Sequence, residues 1–301
     1  AAAAASLRES AAQAGQGSAS PSLDFAQWLL SIVPRNPVRS AAENAILPLI
    51  VFSLSLGLAL NRIGEASREP AVAFFSAVDE AIMVILNVVV RLAPLGIFAL
   101  ALAMSVRAGA SIFGALGFYM LIASLILAVF LIFPYFAVSL ATPISFARFA
   151  RGCLPAQLVA FATHSSLASL PAMLDGAENR LGLSRAFSAI VLPLAASVYR
   201  YSAPVWFITV VYFVGWLYGV PVETARLAVI IPTAVLASVT VGGVPSGAVY
   251  AALPVLMAAG LPAESVGLLM AVDPIPNGFR TVSNVTGEMA AAALLGGKNV
   301  R

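Results

Sequence analysis

From Ala108 to Ala147, and again from Leu227 to Ala263, the chain runs without a single Asp, Glu, Lys or Arg. Shorter runs of the same kind cover Asn44–Asn61, Leu92–Val106 and Tyr201–Val222, and Gly152–Leu174 carries only His164. A helix crosses a bilayer with about 20 mostly apolar residues, so these runs choose the solvent before they choose the fold. Hydrophobic residues fill 61% of 301 positions and charged ones 10%, against about 45–50% and about 25% in soluble domains. A water-soluble core of this length cannot bury that much apolar surface. The expectation is an all-α integral membrane protein of several spans, with lipid as its solvent. A net charge of +3 spread along the chain gives nucleic acid nothing to bind. The lone Cys153 excludes an internal disulfide and a cysteine-built metal site and reads as a small buried hydrophobe.

Residues 1–22, rich in Ala, Ser, Gly and Gln, read as a flexible polar tail or loop. They lack the apolar centre of a signal peptide. The chain begins without Met, so a fragment or a processed product is expected. Spans are expected over Phe25–Asn61, broken near Pro34 and Pro37, then Val78–Val106, Ile112–Ala141, Ala186–Gly219 and Glu264–Leu295, with Arg62–Pro70 as a polar loop and Asp175–Arg185 in water. Arg62, Arg68, Arg148, Arg151, Arg180, Arg185, Lys298 and Arg301 then share one side, and Arg107 and Arg226 the other. The positive-inside rule places the first set, and the tail 296–301, in the cytoplasm.

For this alternation to close, the segments near 146–175 and 227–263 must each enter and leave on one side, from opposite faces. Both carry small or helix-breaking residues at their centres, Thr163–Pro171 and Val241–Gly247. Non-helical backbone at membrane depth survives only where protein or a watery cavity satisfies it. Secondary transporters bind ions and substrates at such interrupted helices. Two oppositely oriented re-entrant helical hairpins are therefore expected; ordinary kinked helices are the alternative.

The residues also carry a resemblance. Thr163-His164-Ser165-Ser166-Leu167-Ala168-Ser169-Leu170-Pro171 looks like the serine-rich tip of the first hairpin in glutamate/aspartate transporters, members of the dicarboxylate/amino acid:cation symporters. Gly243-Val244-Pro245-Ser246-Gly247 is similar to the second hairpin tip, and the run from Val272 to Glu288 to the last-helix signature. Ile32–Pro37 and Arg91–Leu100 match as well, so the likeness runs from about Leu23 to the end. It implies partial scaffold (oligomerisation) helices over 23–107 and a transport domain over 108–295 that slides like an elevator within a homotrimer. Members normally carry three further helices before the point where this chain begins, two of scaffold and one of a cation site.

An arginine inside a span costs roughly 2.5–3.5 kcal/mol on insertion scales and needs a partner or a cavity. Arg280 offers a planar fork that suits a carboxylate, and the resemblance assigns its position to the substrate's side-chain carboxylate. The competing reading is an internal ion pair with Asp273 or Glu288; the latter lies about 12 Å along an ideal helix. Asn284 shares a helix face with Arg280 and by resemblance serves substrate and a cation site, or else a helix–helix hydrogen bond. Ser165 and Ser166 are candidate donors to a second carboxylate, or small packing residues. Gly243, Val244 and Pro245 complete the implied substrate-binding set.

The departures from the family pattern matter as much. Asn277 stands where amino-acid carriers have an aspartate for the substrate ammonium. Tyr199-Arg200-Tyr201-Ser202-Ala203 stands where the family has Asn-Met-Asp-Gly-Thr, so an acid is lost and Arg200 gained. Glu288 replaces the usual aspartate of a second cation site. Arg200 is expected to take the place of one bound cation, with coupling weakened or passed to protons through Glu288; a water-facing Arg200, or one paired with Glu288, is the alternative. Asn284 and Glu288 are the candidate Na+ ligands. His164 next to Ser165 does not make a catalytic triad, and no phosphate loop or histidine-rich metal motif occurs.

The expected function is thus not enzymatic. It is symport of a small anionic substrate, a C4-dicarboxylate in first place, coupled to Na+ or H+ with no resident cofactor, in a bacterial inner (plasma) membrane. An acidic or neutral amino-acid symporter, a degenerate membrane protein that binds without transporting and a passive anion channel are the alternatives.

Overall fold

The computed structural model describes residues 30, 33–34, 36–43, 46–78, 80–82, 84, 111–241 and 247–296. The segment 1–22, the Arg91–Leu100 motif, the tip residues Gly243, Val244 and Pro245, and residues 297–301 lie outside the described residues. All regular structure among the described residues is helical. The chain divides into two compact units, one within 18–106 and one over 107–301.

In the first unit, Pro37 opens the short helix α1 (Pro37–Ala42), where its missing N–H costs nothing. Asn36 caps it by accepting from Val38 N and Arg39 N at 3.0 and 3.1 Å. Helix α2 (Ile46–Leu60) follows. The polar loop expected at Arg62–Pro70 is shorter than that: only 61–64 turn, and α3 (residues 65–78) begins at Glu65. The run from Glu65 to Glu69 consists largely of good helix formers, with Glu65 in the first turn, where negative charge meets the helix dipole.

The second unit opens with α4 (Ser111–Phe130) and α5 (Phe133–Ala141). Gly114–Ala141 as a whole is long and apolar enough to span a bilayer, as is Arg185–Tyr218. On α4, Tyr119, Ala123 and Leu127 recur every fourth residue and are buried, whereas Leu121, Leu125 and Val129 form an exposed stripe. Both faces are apolar, so the pattern of hydropathy alone does not tell the protein side from the lipid side.

Helix α6 (Phe146–Thr163), capped by Ser145, packs antiparallel against α7 (Ser166–Asp175), which runs into a wider π-helical turn at Gly176–Leu181. At the base, Arg148 Nε donates to the carbonyl of Arg180 at 2.9 Å and Arg180 Nη1 to that of Arg151 at 3.0 Å. A Cβ on Gly176 would overlap the carbonyl oxygen of Gly152; glycine lets the two helices touch there. At the tip the chain reverses through His164, whose φ of 54° puts a non-glycine residue in the left-handed region. These elements form a helical hairpin over the segment where one was expected.

The span expected at Ala186–Gly219 is two helices, α8 (Arg185–Val198) and α9 (Ala203–Tyr218). Tyr199 is extended, at φ −92° and ψ 94°, and Pro204 cannot donate back across the break. Helix α10 (Leu227–Ser238) leads towards 242–246, and α11 (Gly247–Ala251) and α12 (Leu253–Ala258) return beside it. The last expected span is also divided. Helix α13 (Ser265–Val272) ends at Asp273, and α14 starts at Pro274 and runs to Gly296. Helix α14 is buried on nearly every side from Pro276 to Ala293, and α4, α5, α6, α7 and α8 pack around it.

Candidate functional site

The helix at the centre of the second unit carries the polar residues. Asn277, Arg280, Thr281, Ser283, Asn284, Thr286 and Glu288 on α14 are all buried, the reverse of a surface helix. Each is held. Gln157 Nε2 on α6 donates to Thr286 Oγ1 at 2.7 Å and to the Tyr135 hydroxyl at 2.6 Å. Ser283 Oγ donates to the Leu127 carbonyl at 3.0 Å. Tyr201 lies on Gly287, where any side chain would collide with its ring, and stacks on Phe130 at 4.5 Å.

Arg280 is 3% exposed and Asp273 0%. Arg280 Nη1 and Nη2 donate to the two carboxylate oxygens of Asp273 at 3.0 and 3.2 Å, a fork-to-fork pair. Arg280 Nη2 also donates to Asn277 Oδ1 at 2.7 Å. The guanidinium lies 4.1 Å from the ring centroid of the fully buried Trp206 on α9. The internal partner of Arg280 is therefore Asp273, not Glu288, brought within reach by the break between α13 and α14 at Asp273–Pro274.

Asn284 Oδ1 accepts from the backbone N–H of Ser202 at 2.9 Å and lies 2.9 Å from its hydroxyl, which also reaches the Arg280 carbonyl at 2.9 Å. The break between α8 and α9 is thus pinned to α14 by one asparagine. Arg200, in the same break, is 5% exposed and Glu288 0%. Arg200 Nη1 stands 3.5 Å from Glu288 Oε1, and Nε donates to the Val241 carbonyl at 2.9 Å. Among the described residues neither Arg200 Nη2 nor Glu288 Oε2 has a hydrogen-bond partner. Of the two alternative positions for Arg200, a water-facing edge or a pair with Glu288, the structure has the second.

The first hairpin reaches this region. Phe161 packs edge-on against Phe279 with centroids 5.6 Å apart, and Phe161 and His164 lie against Gly278. Ser165 is half-buried and accepts from Ala168 N at 3.2 Å as the cap of α7, and Ser166 is buried beside it. Gly243, Val244 and Pro245 fall outside the described residues, between Val241 and Gly247.

Four buried charges, Arg200, Asp273, Arg280 and Glu288, thus pair two by two and sum to zero. No group of three or more His, Cys, Asp or Glu gathers among the described residues. The two oxygens expected to hold Na+ are differently engaged: Asn284 Oδ1 is committed to Ser202, and Glu288 Oε1 faces a guanidinium. The second oxygen of Glu288, Oε2, has no hydrogen-bond partner among the described residues. Trp206 was missed by sequence reasoning, its only sign a tryptophan deep in the uncharged run 201–222, and Ser202 was named only as part of the run 199–203.

Residues 2–297 match the family described as the sodium:dicarboxylate symporter family, a stretch that includes most of the polar segment 1–22. Among curated relatives, neutral amino acid transporter A of Bos taurus is 32% identical over 277 residues, 87% of this chain and 50% of the relative. Neutral amino acid transporter B(0) of Oryctolagus cuniculus is 32% identical, over 83% and 47%. Excitatory amino acid transporter 3 of Mus musculus is 32% identical, over 81% and 47%. The chain spans about half the length of these relatives.

Proposed function

The chain belongs to the sodium:dicarboxylate symporter family, a family of integral membrane transporters and not of enzymes, and from that premise we propose that it carries a small carboxylate substrate across the bilayer by cation-coupled symport. The observation that carries the reading is the buried quartet of charges, paired two by two, that joins α14 to the break between α8 and α9 and to the junction of α13 and α14, beside a helical hairpin. A buried arginine that stacks on tryptophan and grips a carboxylate is built for carboxylate chemistry. Ionisable groups in the interior of a membrane protein mark substrate or ion paths.

The substrate is a C4-dicarboxylate in this reading. The residues proposed to contact the substrate include no carboxylate, Asn277 is uncharged and Glu288 faces Arg200, so a substrate without an ammonium group is favoured. A symporter of acidic or neutral amino acids is the second reading, supported by what the relatives are named for. Arg280, Asn277 and Asn284 contact the substrate, with Ser165, Ser166, Gly243, Val244 and Pro245 from the two hairpin tips. The hairpins are re-entrant from opposite faces, the unit over 108–295 moves like an elevator against scaffold helices within 23–107, and the assembly is a homotrimer in a bacterial inner membrane. Arg200 stands in for one bound cation, and Glu288 passes coupling to protons.

Radiolabelled succinate and aspartate, offered to proteoliposomes under separate sodium and proton gradients, test the proposal. Succinate accumulating above equilibrium under either gradient is the expected result. Accumulation of aspartate but not succinate overturns the substrate assignment, and flux that only follows the substrate gradient overturns symport.

A further inference from the structure

Three of the five N–H donors of Arg280 are engaged before any ligand arrives. Its two Nη atoms hold the Asp273 carboxylate at 3.0 and 3.2 Å, Nη2 also holds Asn277 at 2.7 Å, and one face of the guanidinium is stacked on Trp206. A carboxylate is recognised by two parallel N–H donors. The end-on pair of donors is taken by Asp273, and the edge that uses Nη2 is shared with Asn277. Asp273 is fully buried and Arg280 nearly so, so bulk water does not loosen the pair. An incoming substrate carboxylate meets another carboxylate already in its place.

We infer that Asp273 is a resident competitor: it occupies the Arg280 donors that the substrate needs, and its displacement makes the site competent to bind. This rests on the reading of Arg280 as the substrate's anchor. Asp273 is a positioning and affinity-setting residue in this scheme and does not touch the substrate. Its location suits the part. It lies at the junction of α13 and α14, where the backbone is held by Asp273 N donating to Leu269 O at 2.9 Å and Asn277 N donating to Asp273 O at 2.8 Å. Apparent affinity falls by the fraction of molecules in which Arg280 is free; a pair held closed nine times in ten weakens binding about tenfold.

The test is equilibrium binding of radiolabelled succinate to the purified natural protein in detergent, for wild type, Asp273→Asn and Asp273→Glu, with melting temperature and size-exclusion profile as folding controls. Asp273→Ser replaces the amide variant should that fail to fold. The inference expects Asp273→Asn to bind succinate at least about tenfold more tightly, while Asp273→Glu, which keeps a competing carboxylate, stays near wild type. Loss of a merely structural residue would weaken binding instead. Binding by Asp273→Asn where wild type binds none supports the inference in its strongest form. Equal or weaker binding by a well-folded Asp273→Asn, with wild type binding, overturns the inference and leaves the proposed function standing. Binding by neither, with aspartate as a second probe, overturns both.

Discussion

Arg200 and Glu288 form a charge pair with almost no access to solvent, at 3.5 Å. Removing one member of such a pair leaves the other buried without a counter-charge, at a cost of about 3–5 kcal/mol. Arg200→Met is therefore expected to lower the melting temperature strongly. Glu288→Gln on top of it should recover most of the loss, which a double-mutant cycle of thermal unfolding measures. The same Arg200→Met change should alter uptake and its sodium dependence. Unchanged uptake with unchanged sodium dependence would rule out Arg200 as a stand-in for a cation. At this scale the sequence was partly legible. A lone arginine in the last-helix signature announces a site by its cost in a span, and Asp273 was one of two partners open to it. Which of the two, and the stacking of Trp206, depended on the helix break at Asp273–Pro274 and on α9 packing against α14. No spacing along the chain reveals either.

At the scale of elements, glycines decide how closely helices approach. A Cβ at Gly176 meets backbone of Gly152, and at Gly287 it meets Cβ and Cγ of Tyr201, the root of a side chain stacked on Phe130. Gly176→Ala and Gly287→Ala are each expected to destabilise the protein by about 1–3 kcal/mol through overpacking. Gly117→Ala on α4, where nothing lies within 4 Å, should be neutral or gain about 0.5–1 kcal/mol. Melting temperatures of the three variants check the order. The small residues of Thr163–Pro171 pointed to the reversal of the first hairpin, and it falls there. The breaks at Tyr199–Ser202 and Asp273 were not legible as breaks, because apolar residues on both sides read as one continuous span.

For the molecule as a whole, the apolar stripe Leu121, Leu125 and Val129 is more than half exposed at each residue among the described residues. A stripe of this kind suits lipid and not water. A nitroxide placed on Leu125→Cys in reconstituted protein, with Cys153 replaced, should collide readily with oxygen dissolved in lipid and hardly with a water-soluble relaxing agent. A label on Ala123→Cys, on the buried face, should meet neither. The charge-free runs made the membrane class legible, since no aqueous fold buries so much apolar surface. They could not orient α4, where the face against protein and the face against lipid have the same hydropathy.

The central proposal is that Arg280 holds a carboxylate substrate on its way through the membrane. Succinate counterflow tests it whatever the coupling ion. Proteoliposomes preloaded with unlabelled succinate receive traces of labelled succinate outside, for the longest natural form of the chain and its Arg280→Ala variant. The account predicts transient accumulation of label by the wild type and none by the variant. Equal counterflow in both, or its absence from a well-folded wild type, would contradict it.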